Sequence, residues 1–461
     1  MSELKVILRH AGTVLVGQLA VMAFGVADTV IAGRYSDQAL AALSVGSAIY
    51  VSVYVGLIGI VQALLPIWAE LHGARQPAAL GPSLRQSLYL CIFLTLAGMA
   101  ALLFPGPLLR WAEVPEAMRG EVQAYLAVLA VALMPSLLFR VYSTFNQSLG
   151  RPLLVTWLQL GALLLKLPLS VWLVAGGAGV APMGVVGCAW ATLVVNYGLL
   201  LVAVIMLRTQ GLYRPYQLWA AMEAPDWRQI GAFARLGVPG GMAYLVEVTS
   251  FTLMALFIAR LGTVATASHQ IAASVTAVMY MVPLSTALAC SARVSFWIGA
   301  GRPDQARHVV WIGFRLTALI ALALSATLFI ANEVIASLYS RNPAIVALGS
   351  GLLLWVAAYH LADAIQALCA FLLRCYRITL TPLLLYSVLL WGVGLLGGYT
   401  LAYEGWGAWP ATQSASSFWA VSTVALGAVA LCFAGLLWHA VRRSLTTAPR
   451  SDSAAPASAE K

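Results

Sequence analysis

The chain has 461 residues, of which 61% are hydrophobic and 9% are charged. A soluble globular protein carries roughly 25% charged residues, so 26 basic and 16 acidic side chains cannot cover a water-exposed surface of this size. This composition excludes a cytosolic enzyme, a secreted disulfide scaffold and a nucleic-acid-binding domain. In a membrane protein, the meaning of the net charge of +10 depends on where the basic residues lie along the chain.

Apolar segments long enough to cross a bilayer as helices recur along the whole chain. Each crossing needs roughly 20 mainly apolar residues. Charged or Pro/Gly-rich breaks divide the sequence into twelve candidate spans. They are residues 11–33, 43–68, 84–108, 122–145, 153–176, 184–207, 231–259, 268–296, 309–332, 345–373, 381–403 and 413–440.

The basic residues alternate between the two sides that these spans define. Segments on the side of the N-terminus hold twenty: Lys5, Arg9, Arg75, Arg85, Arg140, Arg151, Arg208, Arg214, Arg228, Arg235, Arg293, Arg302, Arg307, Arg315, Arg374, Arg377, Arg442, Arg443, Arg450 and Lys461. Opposite loops hold five: Arg34, Arg110, Arg119, Arg260 and Arg341. Because basic residues concentrate on the cytoplasmic side, we expect a multi-pass plasma-membrane protein with both termini in the cytoplasm.

The longest interior hydrophilic segment separates six spans from six. Similar pieces recur in both halves at an offset near 227–230, such as residues 152–154 and 382–384, which both read Pro-Leu-Leu. The sequence therefore predicts an all-α membrane protein of two six-helix bundles related by a pseudo-two-fold axis along the membrane normal. The predicted parts are bundle 1–210, cytoplasmic linker 211–230, bundle 231–441 and disordered tail 442–461.

Three acidic residues fall inside predicted spans: Asp28, Glu247 and Asp363. An ionisable group in the bilayer core costs at least about 2.5–3.5 kcal/mol, so we expect each to face the protein interior or a wet cavity and to be functional. The alternative is a neutral or paired carboxyl that only fixes helix contacts.

Two of these acids share a depth with two phenols. Counting ~1.5 Å per residue from flanking arginines places Glu247 ~18 Å, Asp363 ~16 Å and Tyr280 ~20 Å from the cytoplasmic side. Tyr359 lies one turn from Asp363 on the same helix face. Carboxylates and phenols supply oxygen ligands, so this group suits a proton or Na⁺, although each tyrosine alone could equally be packing.

The third acid has a different neighbour. Counted from His10 and Arg151, Asp28 and Lys166 lie at ~27 Å and ~22 Å. Lys166 is the only base near the middle of a predicted span. Buried charges of opposite sign need each other, so the sequence favours an Asp28–Lys166 pair. A lysine that reaches outward along its helix remains the alternative.

Around these residues the chain resembles the multidrug and toxic compound extrusion (MATE) transporters, most closely their NorM-type branch, over residues 1–441. The matching segments are 25–33 (GVADTVIAG), 167–169 (LPL), 280–283 (YMVP), 293–299 (RVSFWIG) and Ala362-Asp363. Their order and spacing across both halves carry the resemblance.

The resemblance implies export of cationic and amphipathic drugs and dyes by antiport with Na⁺ or H⁺. It places Asp28 on the family's first-helix acid, and Glu247 and Asp363 on the acids of a cation site in the second half. Tyr280 and Tyr359 fall on tyrosines beside that site. One segment departs from the family: the fifth span usually reads Asn-x-Pro-Leu-Asn, and here residues 166–170 read KLPLS.

Other functions fit the sequence less well. A flippase for a lipid-linked saccharide should line its cavity with Arg or Lys, whereas the predicted spans, away from their ends, hold three acids and one base. An embedded enzyme would need a catalytic motif, and the six histidines form no HExxH or cluster. A channel would not need a coupling acid. We therefore expect a transporter without catalysis or cofactor beyond the coupling ion, monomeric, in contact with lipid and small cationic compounds and not with nucleic acid.

Overall fold

A computed structural model of the chain describes residues 2–111, 114–177, 179–405, 407 and 410–447. In this part of the chain all regular secondary-structure elements are helices. Twelve helices are long and apolar enough to span a membrane, so the prediction of twelve spans is confirmed.

The observed helices are longer than the predicted spans because hydropathy marks only the apolar part of a helix. They are α1 Glu3–Tyr35, α2 Asp37–Gly73, α3 Pro77–Leu103, α4 Met118–Ser148, α5 Leu153–Ala175, α6 Val185–Thr209, α7 Trp227–Ala259, α8 Thr263–Gly299, α9 Pro303–Tyr339, α10 Pro343–Cys375, α11 Leu380–Tyr403 and α12 Ala415–Thr446. The end of the bundle at which α1 begins is called the N-terminal face below.

Two helices are irregular. The α2 helix is interrupted at Ala63, where a turn separates a long segment from Leu64–Gly73. The α11 helix contains a π-helical segment over Val388–Leu396. Such widened turns are rare and are frequently found at functional sites.

The buried apolar residues form two clusters that follow the two halves of the chain. One runs from Ala32, near the end of α1, through α2–α6 to Phe233 in the first turns of α7. The other fills α7–α12 and also takes in Ile7, Ala11 and Val14 at the start of α1. The beginning of α1 thus packs on the second half.

A reciprocal pair of glycine contacts joins the halves at the N-terminal face. A Cβ on Gly73 would lie 1.9 Å from the carbonyl oxygen of Phe296, and one on Gly299 would lie 1.9 Å from that of Glu70. Gly299 and Phe296 follow Gly73 and Glu70 by the same 226 residues. Equivalent residues therefore exchange equivalent contacts, as a two-fold axis between α2 and α8 requires.

The connection between the halves is ordered and bound to the first half. It contains a 3₁₀ turn at Gly211–Tyr216, and Tyr213 donates a hydrogen bond of 2.7 Å from its hydroxyl to Asn146 Oδ1 of α4. Glu223 accepts one from Arg85 Nε of α3 at 2.7 Å. The second half then begins with α7, whose first turn is capped by Asp226.

The C-terminal prediction is wrong in part. The final helix α12 continues for one further residue, to Thr447, so the chain from Arg442 to that residue is helical and not disordered. Arginine is a good helix former, so Arg442 and Arg443, which lie before the last turn, do not end the helix. Residues 448–461 of the predicted tail lie outside the described residues.

Candidate functional site

The two predicted acids of the second half lie within electrostatic range of each other. Glu247 projects from α7 and Asp363 from α10, and the two side chains are close enough to interact electrostatically. Asp363 is 2% exposed, and its Oδ1 has no hydrogen-bond partner among the described residues. A carboxylate oxygen buried without a donor is costly, so this site suits a proton or a cation.

Three phenols surround the acids. Tyr280 of α8 and Tyr359 of α10 each interact electrostatically with both Glu247 and Asp363, as the depth count predicts. Tyr386 of α11 is the third: it lies beside Glu247, is 2% exposed and was missed by the sequence analysis. Its hydroxyl makes no hydrogen bond of ordinary geometry among the described residues.

The irregular part of α11 holds this region in place. Trp391, in the π-helical segment, donates a hydrogen bond of 3.2 Å from Nε1 to the carbonyl oxygen of Val246, the residue before Glu247. The π segment begins two residues after Tyr386. A local change in winding therefore lies directly against the acid on α7.

An aromatic wall supports Tyr359. The ring of Trp419 meets Tyr359 edge-on at 5.7 Å and Phe251 at 6.1 Å. Trp419 also donates a hydrogen bond of 3.3 Å from Nε1 to Nδ1 of His269. These contacts fix the phenol ring from α7, α8 and α12.

In the first half, Asp28 and Lys166 form an ion pair. Lys166 Nζ lies 2.6 Å from Asp28 Oδ2 and 2.8 Å from Thr192 Oγ1. Ser170 Oγ is 3.4 Å from Asp28 Oδ1, and the ring of Phe24 lies 5.3 Å from the ammonium group. The structure therefore brings together the two residues whose pairing the sequence favours.

Three arginines that were expected outside the membrane are buried. Arg85 is one of them and pairs with Glu223. Arg140 and Arg374, on α4 and α10, are 7% and 6% exposed and form no ion pair among the described residues. Both act electrostatically on Tyr244 of α7. The interior is thus less negative than the predicted count of three acids and one base, because two guanidinium groups lie within it.

His360 has no catalytic setting. It is 1% exposed, and neither ring nitrogen has a hydrogen-bond partner among the described residues. No group of three or more His, Cys, Asp or Glu residues in the described ranges could hold a metal ion.

The family model MatE matches residues 14–172 and 239–400, one match in each half. The chain belongs to the MatE family. The two matched segments contain Asp28, Lys166, Glu247, Asp363 and all three phenols. The resemblance seen in the sequence is thereby confirmed.

Curated relatives match along most of the MatE chain. A probable multidrug resistance protein NorM of Aromatoleum aromaticum is 38% identical over 434 residues, covering 94% of both chains. The multidrug resistance protein PmpM of Pseudomonas aeruginosa is 32% identical over 406 residues, covering 88% of this chain and 85% of its own.

Solved structures share the fold. The eukaryotic MATE transporter AtDTX14 superposes with a TM-score of 0.85 at 18% identity, over 97% of this chain and 99% of its own. The Vibrio cholerae MATE transporter VcmN in its bent form gives 0.84 at 16% identity, over 96% and 98%. The arrangement of two six-helix halves is therefore that of the MATE transporters.

Proposed function

We propose that this protein exports cationic and amphipathic organic compounds by antiport with Na⁺ or H⁺, and that Glu247 and Asp363 hold the coupling cation. One observation carries this proposal: Asp363 is buried, its Oδ1 accepts no hydrogen bond among the described residues, and the acid Glu247 lies within electrostatic range of it. Ionisable groups placed in this way inside membrane proteins mark ion and proton pathways.

The surrounding oxygen atoms support a cation as the occupant. The hydroxyls of Tyr280, Tyr359 and Tyr386 lie near both acids. Hard cations such as Na⁺ take oxygen ligands, and transporters commonly place ion sites beside irregular helices near the bilayer midplane. The π-helical segment of α11 supplies such an irregularity.

The first half contributes a fixed ion pair and not a second coupling site. Lys166 already occupies the position that a cation would take at Asp28, with Asp28 and Thr192 as its partners. A coupling cation would have to displace a covalently tethered ammonium group. Coupling therefore rests on the second half.

The N-terminal face is the cytoplasmic face in this proposal. Two ion pairs join the halves there, Glu3–Arg293 and Glu70–Arg377, and the glycine contacts between α2 and α8 close the same end. The basic residues that concentrate on this side support its cytoplasmic orientation. The protein is expected to act as a monomer, since each chain supplies both halves.

Export driven by an imposed gradient tests the proposal. Purified protein in liposomes receives a cationic dye such as ethidium, under an imposed Na⁺ gradient or an imposed pH gradient, each without the other. Wild type should move the dye against its gradient under at least one condition. Glu247→Gln and Asp363→Asn should each abolish that movement.

Glu333→Gln is the matched control because Glu333 is an exposed acid near the end of α9. It should transport like wild type. Full gradient-driven export by either Glu247→Gln or Asp363→Asn would remove these acids from coupling. Absence of dye movement in wild type under both gradients would contradict the antiport itself.

A further inference from the structure

The connection between the halves carries apolar and basic side chains that the fold leaves uncovered. Three large apolar residues and three arginines in and beside it are exposed. They are called the linker surface below and are Trp219, Met222, Trp227, Arg208, Arg214 and Arg228. The three apolar residues are between 49% and 66% exposed. Exposed apolar side chains that cluster mark protein or membrane interaction sites.

One end of the linker surface lies against α6, a helix that faces lipid. Leu201 and Ile205 are 61% and 49% exposed although they belong to a membrane-spanning helix, and Arg208 follows on the same helix face. The guanidinium group of Arg208 lies 5.7 Å from the ring of Trp219. Trp219 also donates a hydrogen bond of 3.3 Å from Nε1 to the carbonyl oxygen of Leu207. This ring and this charge therefore lie at the polar end of a lipid-facing strip, where tryptophan is enriched in membrane proteins.

The other end rises along α3 toward the middle of the membrane. Glu223 pairs with Arg85 of α3, and its carbonyl oxygen accepts a hydrogen bond of 2.8 Å from the Tyr89 hydroxyl. The ring of Trp227 lies 6.0 Å from that of Phe93, which is 50% exposed. Phe93 follows Arg85 by eight residues, about 12 Å along the helix axis. Trp227 therefore lies beside a part of α3 that faces lipid.

The linker surface keeps a positive charge after its acids are taken into account. Residues 208–230 contain two acids. Glu223 is paired with Arg85, and Asp226 accepts hydrogen bonds from the backbone nitrogens of Arg228 and Gln229 at 2.9 and 3.2 Å. The three arginines of the linker surface form no ion pair among the described residues. Exposed arginines next to a bilayer attract acidic lipid headgroups.

We propose that the linker surface binds acidic phospholipids in the leaflet that borders the N-terminal face. Its apolar side chains enter the boundary between headgroups and acyl chains, and its arginines contact the phosphate groups, as in other interfacial segments. A membrane is favoured over a soluble protein because Trp219 and Trp227 both lie on helices that face lipid. This inference goes beyond drug export and does not depend on the coupling cation.

Thermal unfolding in detergent, with added phosphatidylglycerol, measures this binding without transport. Phosphatidylcholine of the same chain length is the control lipid, since its headgroup has no net charge. Phosphatidylglycerol should raise the Tm of wild type at lower concentrations, because a ligand that binds only the folded protein stabilises it. Arg214→Gln should weaken the apparent affinity for phosphatidylglycerol about fivefold, the equivalent of about 1 kcal/mol. The triple variant Arg208→Gln/Arg214→Gln/Arg228→Gln should weaken it more than about tenfold.

A second triple variant separates the linker surface from the charge of the whole face. Arg9→Gln/Arg307→Gln/Arg315→Gln removes three other exposed arginines from the N-terminal side of the chain and should bind phosphatidylglycerol like wild type. Equal losses of affinity in both triple variants would show that the lipid responds only to total charge. That result, or an unchanged affinity in the linker variant, would overturn the proposal.

The depth of Met222 distinguishes a membrane from a soluble partner. A nitroxide spin label is attached to Met222→Cys in a Cys432→Ala background, because Cys432 is exposed. In phosphatidylglycerol liposomes, lipid-soluble oxygen should relax this label more than a water-soluble nickel complex does. A label on Gln76→Cys, at an exposed position just before α3, should show the reverse. A label at position 222 that behaves like the one at position 76 would place the linker surface in water and overturn the proposal in favour of a soluble partner.

Discussion

Lys166 and Asp28 meet at 2.6 Å between Nζ and Oδ2, and the two residues are only 1% and 7% exposed. They come from α5 and α1, so the pair fixes the outer part of α1 against the helix that carries the family's altered segment. The lysine has Thr192 as a second partner at 2.8 Å. Its charge and its hydrogen bonds are thus both accounted for.

Replacing one partner of this pair should lower the folding stability far more than replacing both partners with neutral residues. Lys166→Ala leaves a buried carboxylate alone and should cost roughly 3–5 kcal/mol of folding stability. The double variant Asp28→Asn/Lys166→Asn has no charge at either position and should recover much of that loss. A double-mutant cycle compares the thermal unfolding and folded yield of Asp28→Asn, Lys166→Asn and the double variant.

Thr192→Ala is the control, because it removes one hydrogen bond to Lys166 without changing charge. It should cost about 0.5–1.5 kcal/mol. Strict additivity of the two charge substitutions would show that the side chains do not interact, and Asp28 would then become a candidate proton site.

The glycine contacts at the N-terminal face predict a second result. Gly73→Ala or Gly299→Ala places a methyl group 1.9 Å from a carbonyl oxygen of the opposite half, so α2 and α8 must separate. Overpacking of this kind costs typically about 1–3 kcal/mol. Both variants should lower Tm by similar amounts, because the two contacts are equivalent.

Gly198→Ala provides the comparison. A Cβ at this position in α6 would have nothing within 4 Å, and alanine favours a helix interior over glycine by up to about 1 kcal/mol. The Tm of Gly198→Ala should equal or exceed that of wild type. A drop in Tm for Gly198→Ala as large as for Gly73→Ala would mean that the close contact is not the cause.

The ion pairs between the halves should differ in strength. Glu3 accepts hydrogen bonds from Arg293 Nη2 at 2.6 Å and from Arg293 Nε at 3.0 Å. The side chains of Glu3 and Arg293 are 16% and 20% exposed. The Glu70–Arg377 pair is 36% and 43% exposed. Double-mutant cycles in which each partner is replaced by glutamine should give a coupling energy of about 1.5–3 kcal/mol for the first pair. The coupling energy of the second pair should be below about 1 kcal/mol. Equal coupling energies would contradict this ranking.

The linker should give a measurable pH dependence. The Arg85 guanidinium, hydrogen-bonded to Glu223, lowers the pKa of that carboxyl from 4.5 to about 2. A carboxyl whose pKa is lowered on folding adds stability above its unfolded pKa and loses it as pH falls. The Tm difference between wild type and Glu223→Gln should therefore be constant from about pH 8 to 5 and shrink below pH 4.5.

Glu404→Gln, at an exposed loop residue, should match wild type across the same pH range. A Tm difference for Glu223→Gln that grows as the pH falls would mean that the pair with Arg85 does not stabilise the folded protein.

The sequence predicted the twelve helices and the acids because both depend on one-dimensional signals. Hydropathy and the alternation of basic residues define the spans. An acid inside an apolar segment is recognisable without a structure. Counting residues from a flanking arginine was enough to place Glu247 beside Asp363 and Asp28 beside Lys166.

Features that depend on side-chain direction could not be predicted. Arg140 and Arg374 lie near helix ends, where a base usually reaches water, so burial was not visible in the sequence. Tyr386 lies only six residues into α11, and its approach to Glu247 depends on how α11 packs against α7. The contacts of His360 depend on three packed helices in the same way.

In the proposed mechanism, Glu247 and Asp363 connect cation binding to drug binding. The most direct test is the Kd of a cationic dye for the purified protein, measured as a function of Na⁺ concentration and of pH. If drug and cation binding are coupled, the Kd of wild type must change with at least one cation. We predict that this dependence is lost in Glu247→Gln and in Asp363→Asn and persists in Glu333→Gln. An unchanged cation dependence in either acid variant would contradict the account.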